Sequence, residues 1–205
     1  MTELAAVNII LRQAGLREVP SLDDNDAVSD AALARKVLDE VELEVQSRGW
    51  YYNIRQEIQL TRESDNTVLV PTTAITIDTT YTSYGTEASQ VGDKLLLVKD
   101  GSITFDEDPY VTYTVRYDFE AIPYPVREYI AWLAAHRYIM QQPIGQLSRI
   151  EYEDRNRRLN WTESRMIDAK GMAQRFNDQS SDDSLFDDPH TYNVTGRRVP
   201  TRRWN

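Results

Sequence analysis

The chain contains no cysteine, so disulfides, thiolate nucleophiles and cysteine-ligated metals are all excluded. Histidine is nearly as scarce. His136 and His190 are the only two among 205 residues, which argues against a histidine-based metal site. No run of about 18 apolar residues exists, so nothing in the sequence reads as a membrane span. Residues 1–15 lack a basic start, an apolar block and a small-residue cleavage site, and the expectation is a soluble protein made in the cytoplasm. There is no glycine-rich phosphate loop, no G-x-S-x-G elbow and no H-E-x-x-H pair, and no cofactor is expected. Basic residues are outnumbered 23 to 33, a formal charge of −10, whereas a free-standing nucleic-acid binder carries a net basic face.

What is present suits a folded protein. Hydrophobic residues make up 40% and charged residues 27%, over a length that allows one sizeable domain or two small ones. Residues 3–14 read as a short helix, with Leu4, Val7, Leu11 and Ala14 on one side, Asn8 and Arg12 on the other, and Gly15 as the stop. Residues 16–30 read as a loop. Its acids Asp23, Asp24 and Asp26 suggest calcium, but the glycine and the distal glutamate of an EF-hand are missing in register. Ser29 or Asp30 is expected to cap a second helix, in which Val37, Leu38, Val41 and Val45 form the apolar stripe. That helix should end at Gly49, immediately before Trp50, Tyr51 and Tyr52, a large aromatic cluster at a helix-to-strand joint.

From Ile54 to Phe119 the period changes to two. Ile58 and Leu60, Val68 and Val70, Ile75 and Ile77, and Val111, Tyr113, Val115 and Tyr117 alternate with polar neighbours, as half-buried antiparallel strands do. Leu95-Leu96-Leu97-Val98 reads as an interior strand, and Lys99-Asp100-Gly101-Ser102 as a hairpin turn leading into residues 103–105. The polar segment 79–90 reads as an exposed loop. Tyr124-Pro125 starts a third helix with Val126, Tyr129, Ile130, Leu133, Ala134 and Met140 on its stripe; Trp132 and Tyr138 fall off it, a placement that suits a subunit contact. A fourth helix is expected over 146–176, with a thin seam of Leu147, Ile150, Leu159, Met166, Ala169, Met172 and Phe176. Arg155, Arg157 and Arg158 crowd its middle and suit ion pairs with a neighbouring subunit. Residues 177–205 read as an arm that orders on a partner. Its first half is acidic, its second holds Arg197, Arg198, Arg202 and Arg203, and Trp204 nearly closes it.

The expected architecture is α+β: a helical unit of about four helices from residues 1–53 and 120–176, an inserted antiparallel sandwich- or barrel-like domain at 54–119, and an extended C-terminal arm at 177–205. Residues 45–53, "VQSRGWYYN", resemble the signature of the tail tubular protein A family of short-tailed podophages. The segments "AAVNIILRQAG" (5–15), "LARKVLDEVELEVQ" (33–46) and "YPVREYIAWLAAHRYI" (124–139) agree with it in order and size. The resemblance implies a virion tail protein, assembled in the host cytoplasm as a homo-oligomeric ring, a dodecamer in that family. The ring would be a head-to-tail adaptor between the portal protein and the tail nozzle (tail tubular protein B), helping to hold the tail fibres. DNA would pass through its channel without specific binding, and no membrane is involved. The arginines of the fourth helix and of the arm, with Trp204, would be the portal or subunit contacts; Gly49, Trp50, Tyr51 and Tyr52 would be the structural joint. Two rival readings are a tail polysaccharide hydrolase, for which 33 acids supply many possible carboxylate pairs, and a monomeric binding module.

Overall fold

Thr2 opens helix α1 (Glu3–Ala14) by accepting the Ala5 N–H on its hydroxyl at 3.2 Å, in a computed structural model that describes residues 1–22, 29–78, 88–143 and 147–184. Gly15 ends the helix in the left-handed conformation at φ +77°. Ala6, Val7, Ile10, Leu11 and Ala14 form the buried face. Asn8, on the opposite side, clasps the backbone of Val19 through both ends of its amide, each bond 2.9 Å long. The chain then enters α2 (Asp30–Ser47), where the Ser29 hydroxyl caps the Ala32 N–H. Val37, Leu38, Val41 and Val45 are all buried as their spacing predicts. The acidic segment 23–26 lies outside the described residues.

The described chain divides into two units, 1–45 with 118–205 and 46–117. In the first, α3 (Tyr124–Gln141) is buried nearly all round, which marks it as the central helix. Trp132 and Tyr138 are inside the unit rather than free for a subunit contact. The Arg165 guanidinium lies 5.2 Å from the Trp132 ring, and burial, reinforced by Asp30, pushes the Tyr138 phenol up. Met140, expected on the buried stripe, is exposed. Ion pairs tie α2 to its neighbours: Arg35 to Glu3 of α1 and Arg137 to Glu44, each at 2.6 Å.

Helix α4 (Arg149–Ser184) starts with a reciprocal capping box. Ser148 N–H donates to Glu151 at 2.8 Å and Glu151 N–H returns to the Ser148 hydroxyl at 3.4 Å. The helix runs past Phe176, so any extended arm begins no earlier than residue 185. Its buried face keeps only part of the expected seam. Ala169 goes inside as expected, joined by Arg155, Thr162 and Ala173, while Ile150 is 77% exposed and Met172 39%. The reason is what α4 meets on α3: Arg155 reaches the Ile139 carbonyl, Thr162 meets His136 and Arg165 lies over Trp132, which turns the side carrying Ile150 and Met172 outward.

The second unit is all antiparallel. Strands β1 (Ile54–Gln59), β5 (Tyr110–Val115) and β2 (Ala74–Asp78) form one sheet in the order β1-β5-β2; β3 (Ala88–Val91) and β4 (Lys94–Leu97) form another. Leu60, Val68, Val70, Leu95, Phe105 and Val111 make their common core. Both outer strands of the first sheet slip by one residue against β5. In β1 the slip falls between Arg55 and Ile58, where Glu57 takes φ +52°, and Ile58 is left partly exposed.

Three expectations for this unit are corrected. Residues 88–90 belong to β3, not to a loop, and β4 pairs with β3 around Gly92 (φ +63°). The Lys99–Ser102 turn closes through the Leu97 N–H to Ser102 O bond of 2.7 Å, but no strand follows it at 103–105. Val68 and its neighbours pair with other chain segments through isolated bridges and form no strand of their own among the described residues. Residues 79–87 lie outside the described set.

Two turns of this unit depend on ionised carboxylates. Asp108 accepts from the Arg62 side chain at 2.9 Å and its backbone N–H at 3.1 Å, and these bonds hold its carboxyl below its ordinary value of 3.8. The Thr67 hydroxyl and backbone N–H do the same for Asp65. A depressed folded pKa gives stability that is present above the unfolded value and is lost as pH falls through the folded one. The melting temperature should therefore drop as pH falls below about 4. Asp108→Asn should flatten part of that acid limb, and an unchanged pH profile in the variant would refute the assignment.

Candidate functional site

At the joint that leads into the second unit, Gly49 stops α2 at φ +72°, its N–H bonded to the Gln46 carbonyl at 3.2 Å. The three aromatics then part company. Trp50 is buried, Tyr51 is exposed, and Tyr52 is half-buried with its ring 6.0 Å from that of Tyr117. Two amides brace the backbone around them. Asn53 accepts the Trp50 N–H at 2.7 Å and donates to the carbonyls of Gln46 and Val115 at 3.0 and 3.1 Å. Gln46 donates to the Tyr117 carbonyl at 2.8 Å and accepts the Tyr117 N–H at 2.9 Å. Both amides are fully buried. They fasten the chain's way into the unit, at 46–54, to its way out, at 115–117. Arg55 adds a bond to the Tyr117 hydroxyl. The sequence reading stressed the rings and missed the amides; the available signal was a glutamine directly after Val45 on the buried side of α2.

The three arginines near the start of α4 separate. Arg155 is only 7% exposed and donates to the Ile139 carbonyl at the end of α3 at 2.8 Å. Arg157 points out and pairs loosely with Asp154 at 3.4 Å. Arg158 is half-buried, bonded to Asp154 at 2.7 Å, and lies against Gly15. A Cβ on Gly15 would stand 2.4 Å from the Arg158 Nη1, the far end of a flexible side chain that can swing aside, so the left-handed backbone is what favours glycine there. Gly15→Ala should cost about 1–2 kcal/mol from the left-handed backbone alone, plus the displacement of Arg158 from Asp154. Thermal unfolding reads this directly, and an unchanged midpoint would refute it.

A groove of about 400 Å³ lies here, within the first unit. Leu16, Leu147 and Ile150 supply apolar wall, and Arg155 and Arg158 reach its lining. Two acids line it too. Glu151 is held below its ordinary range by the Ser148 hydroxyl and backbone N–H. Asp154 is shared by Arg157 and Arg158. The Nε–H groups of Arg155 and Arg158 are shielded from solvent and have no hydrogen-bond partner among the described residues.

His136 serves packing. Its Nδ1 lies 3.3 Å from the Thr162 hydroxyl, which itself donates to the Leu159 carbonyl at 2.9 Å; that network assigns the Nδ1 proton to the bond with Thr162. Among the described residues no three histidine or acidic side chains gather to hold a metal, and no helix is long and apolar enough to cross a membrane. Arg197, Arg198, Arg202, Arg203 and Trp204 lie outside the described residues.

Residues 4–168 match the family model for Tail tubular protein, from the second residue of α1 to the middle of α4. The chain belongs to the tail tubular protein family. It is a structural component of a phage tail, and its family is structural rather than enzymatic. The matched span includes the amide-braced joint, the three arginines of α4 and the groove. No curated protein matches the chain.

Proposed function

We propose that this tail tubular protein is a head-to-tail adaptor: a ring, expected to hold twelve copies, joining the portal to the tail nozzle, continuing the DNA channel and helping to hold the tail fibres. The observation that carries the reading is the outer face of α4. Ile150, Trp161 and Met172 are 77%, 56% and 39% exposed and recur every eleven residues. Eleven residues are close to three helical turns, so the three side chains fall on one strip roughly 33 Å long. An apolar strip of that length on a polar helix suits assembly rather than life as a monomer. The family membership supports the same reading. The charge of −10 per copy supports passage of DNA without binding, because the channel phosphates meet net repulsion.

Nothing among the described residues favours the hydrolase alternative. The decisive measurement is the solution mass of the full-length protein, alone, with portal and with duplex DNA, alongside a variant ending at Ser184. Portal should convert the full chain into a ring complex, the shortened variant should lose or weaken that conversion, and DNA should leave the mass unchanged. A protein that stays monomeric and ignores portal would overturn the adaptor reading.

A further inference from the structure

We infer that the free protein pairs with a second copy of itself through the first half of the exposed α4 strip, the helices antiparallel and Trp161 of each copy seated beside Ile150 of the other. Ile150, Asp154, Arg157 and Trp161 follow one another at four, three and four residues, the spacing of a two-helix seam. They fall within roughly 60° of the helix circumference. Ile150 and Trp161 are exposed, and Arg157 projects outward with its side chain 76% exposed. Turned end for end, this seam matches itself. Ile150 meets Trp161 and Asp154 meets Arg157, each pair occurring twice, and the flanking Glu153 meets Arg158. No like charges oppose each other between residues 147 and 164 in this register, so its electrostatics favour the contact.

Two other antiparallel registers join apolar residues of the strip, and both fit worse. Centred on Trp161, Ile150 would meet Met172, but Asp154 would oppose Asp168 and Arg157 would oppose Arg165. Centred between Met166 and Ile167, Trp161 would meet Met172, but Arg158 would oppose Arg175. That register also needs Arg165 for Asp168, and Arg165 is drawn to α3 instead, 3.6 Å from Glu128 and 5.2 Å from the Trp132 ring. The register centred between Arg155 and Asn156 is the one that brings Trp161 to the groove. Leu16, Leu147 and Ile150 are the groove's apolar wall, and its charges cancel, Glu151 and Asp154 against Arg155 and Arg158. A balanced lining suits a neutral occupant. An indole brings a large apolar face and one N–H, for which the Glu151 carboxylate is an acceptor. Because both copies use the same patch, the contact is isologous: it closes at two and cannot build a ring. It stands apart from the proposed ring and covers the strip until portal opens the pair.

Light scattering of the full-length protein without portal should report a dimer. Trp161→Ala should raise its dissociation constant roughly thirtyfold, the loss typical of an anchor residue, and Ile150→Glu should do as much. Met172→Glu should leave the dimer unchanged. All three side chains are exposed, so folding is not at stake. Arg157→Glu and Asp154→Arg should each give monomers, because each sets like charges across the seam twice. Mixed in equal amounts, the two should recover the dimer, since every charge then meets its opposite, and thermal melting shows that each is folded. A protein that is monomeric at every concentration, or that forms a ring without portal, would overturn the inference. So would a dimer that Ile150→Glu or Trp161→Ala spares, or a mixture of the two folded charge variants that stays monomeric. The mass with portal reports the ring separately: a monomer that portal assembles sinks this contact and leaves the adaptor reading intact.

Discussion

Replacing Asn53 with alanine should destabilise the β-unit by about 2–4 kcal/mol, because it strands two buried backbone groups at once, each costing about 1–3 kcal/mol. The Trp50 N–H loses its acceptor and the Val115 carbonyl its donor, while the Gln46 carbonyl keeps the Gly49 N–H. Against a typical total of about 5–15 kcal/mol, that is enough to leave a substantial fraction unfolded at physiological temperature. Asn53→Asp separates the roles of the two ends of the amide. It keeps the size and the acceptor for Trp50 but sets a carboxylate against two carbonyl oxygens, so at neutral pH it should be at least as damaging as alanine. Lowering the pH should partly rescue it, since the protonated acid regains one donor. Urea titration of the full chain measures both variants. A loss below about 1 kcal/mol for alanine would mean that the joint relaxes or admits water, and that the amide is not what fastens the two crossings of the chain.

How far these features could be read from the sequence follows from how local their causes are. The ends of α1 and α2 were legible because a glycine stop and a buried stripe are properties of the segment itself: Gly15 and Gly49 both adopt positive φ, and Val37, Leu38, Val41 and Val45 are buried. Strand β5 was legible because Val111 and its alternating neighbours lie in the middle of a three-stranded sheet. Strand β3 was not, since within Ala88–Val91 only Ala88 is buried, and pairing with β4 makes it a strand. The same limit hid the inner face of α4. Which side of a helix is buried depends on its partner, and α3 takes in Arg155 and Thr162 where the apolar seam predicted Ile150 and Met172, with Ala169 common to both. At the candidate site, the arginines were found by type, but their division into Arg155 inward and Arg157 outward is a property of helix phase against α3.

Arg155 gives the second large effect, and its size depends on what replaces it. Arg155→Ala should cost about 2–4 kcal/mol, chiefly the lost packing of a buried stem, since the forfeited charged hydrogen bond to the Ile139 carbonyl, worth about 1.5–3, is partly offset by removal of the shielded Nε–H. Arg155→Met keeps most of the volume. It forfeits the bond to Ile139, but it also removes a shielded Nε–H that has no hydrogen-bond partner among the described residues, a group costing about 1–3 kcal/mol to leave unmade. The two terms nearly offset, so methionine should fall within about 1 kcal/mol of the wild type, as apolar replacements of buried charges often do. Stability alone would then make the arginine dispensable. An unstable methionine variant would show instead that the bond to the end of α3 outweighs the unpartnered donor, and that the guanidinium is there to close that helix.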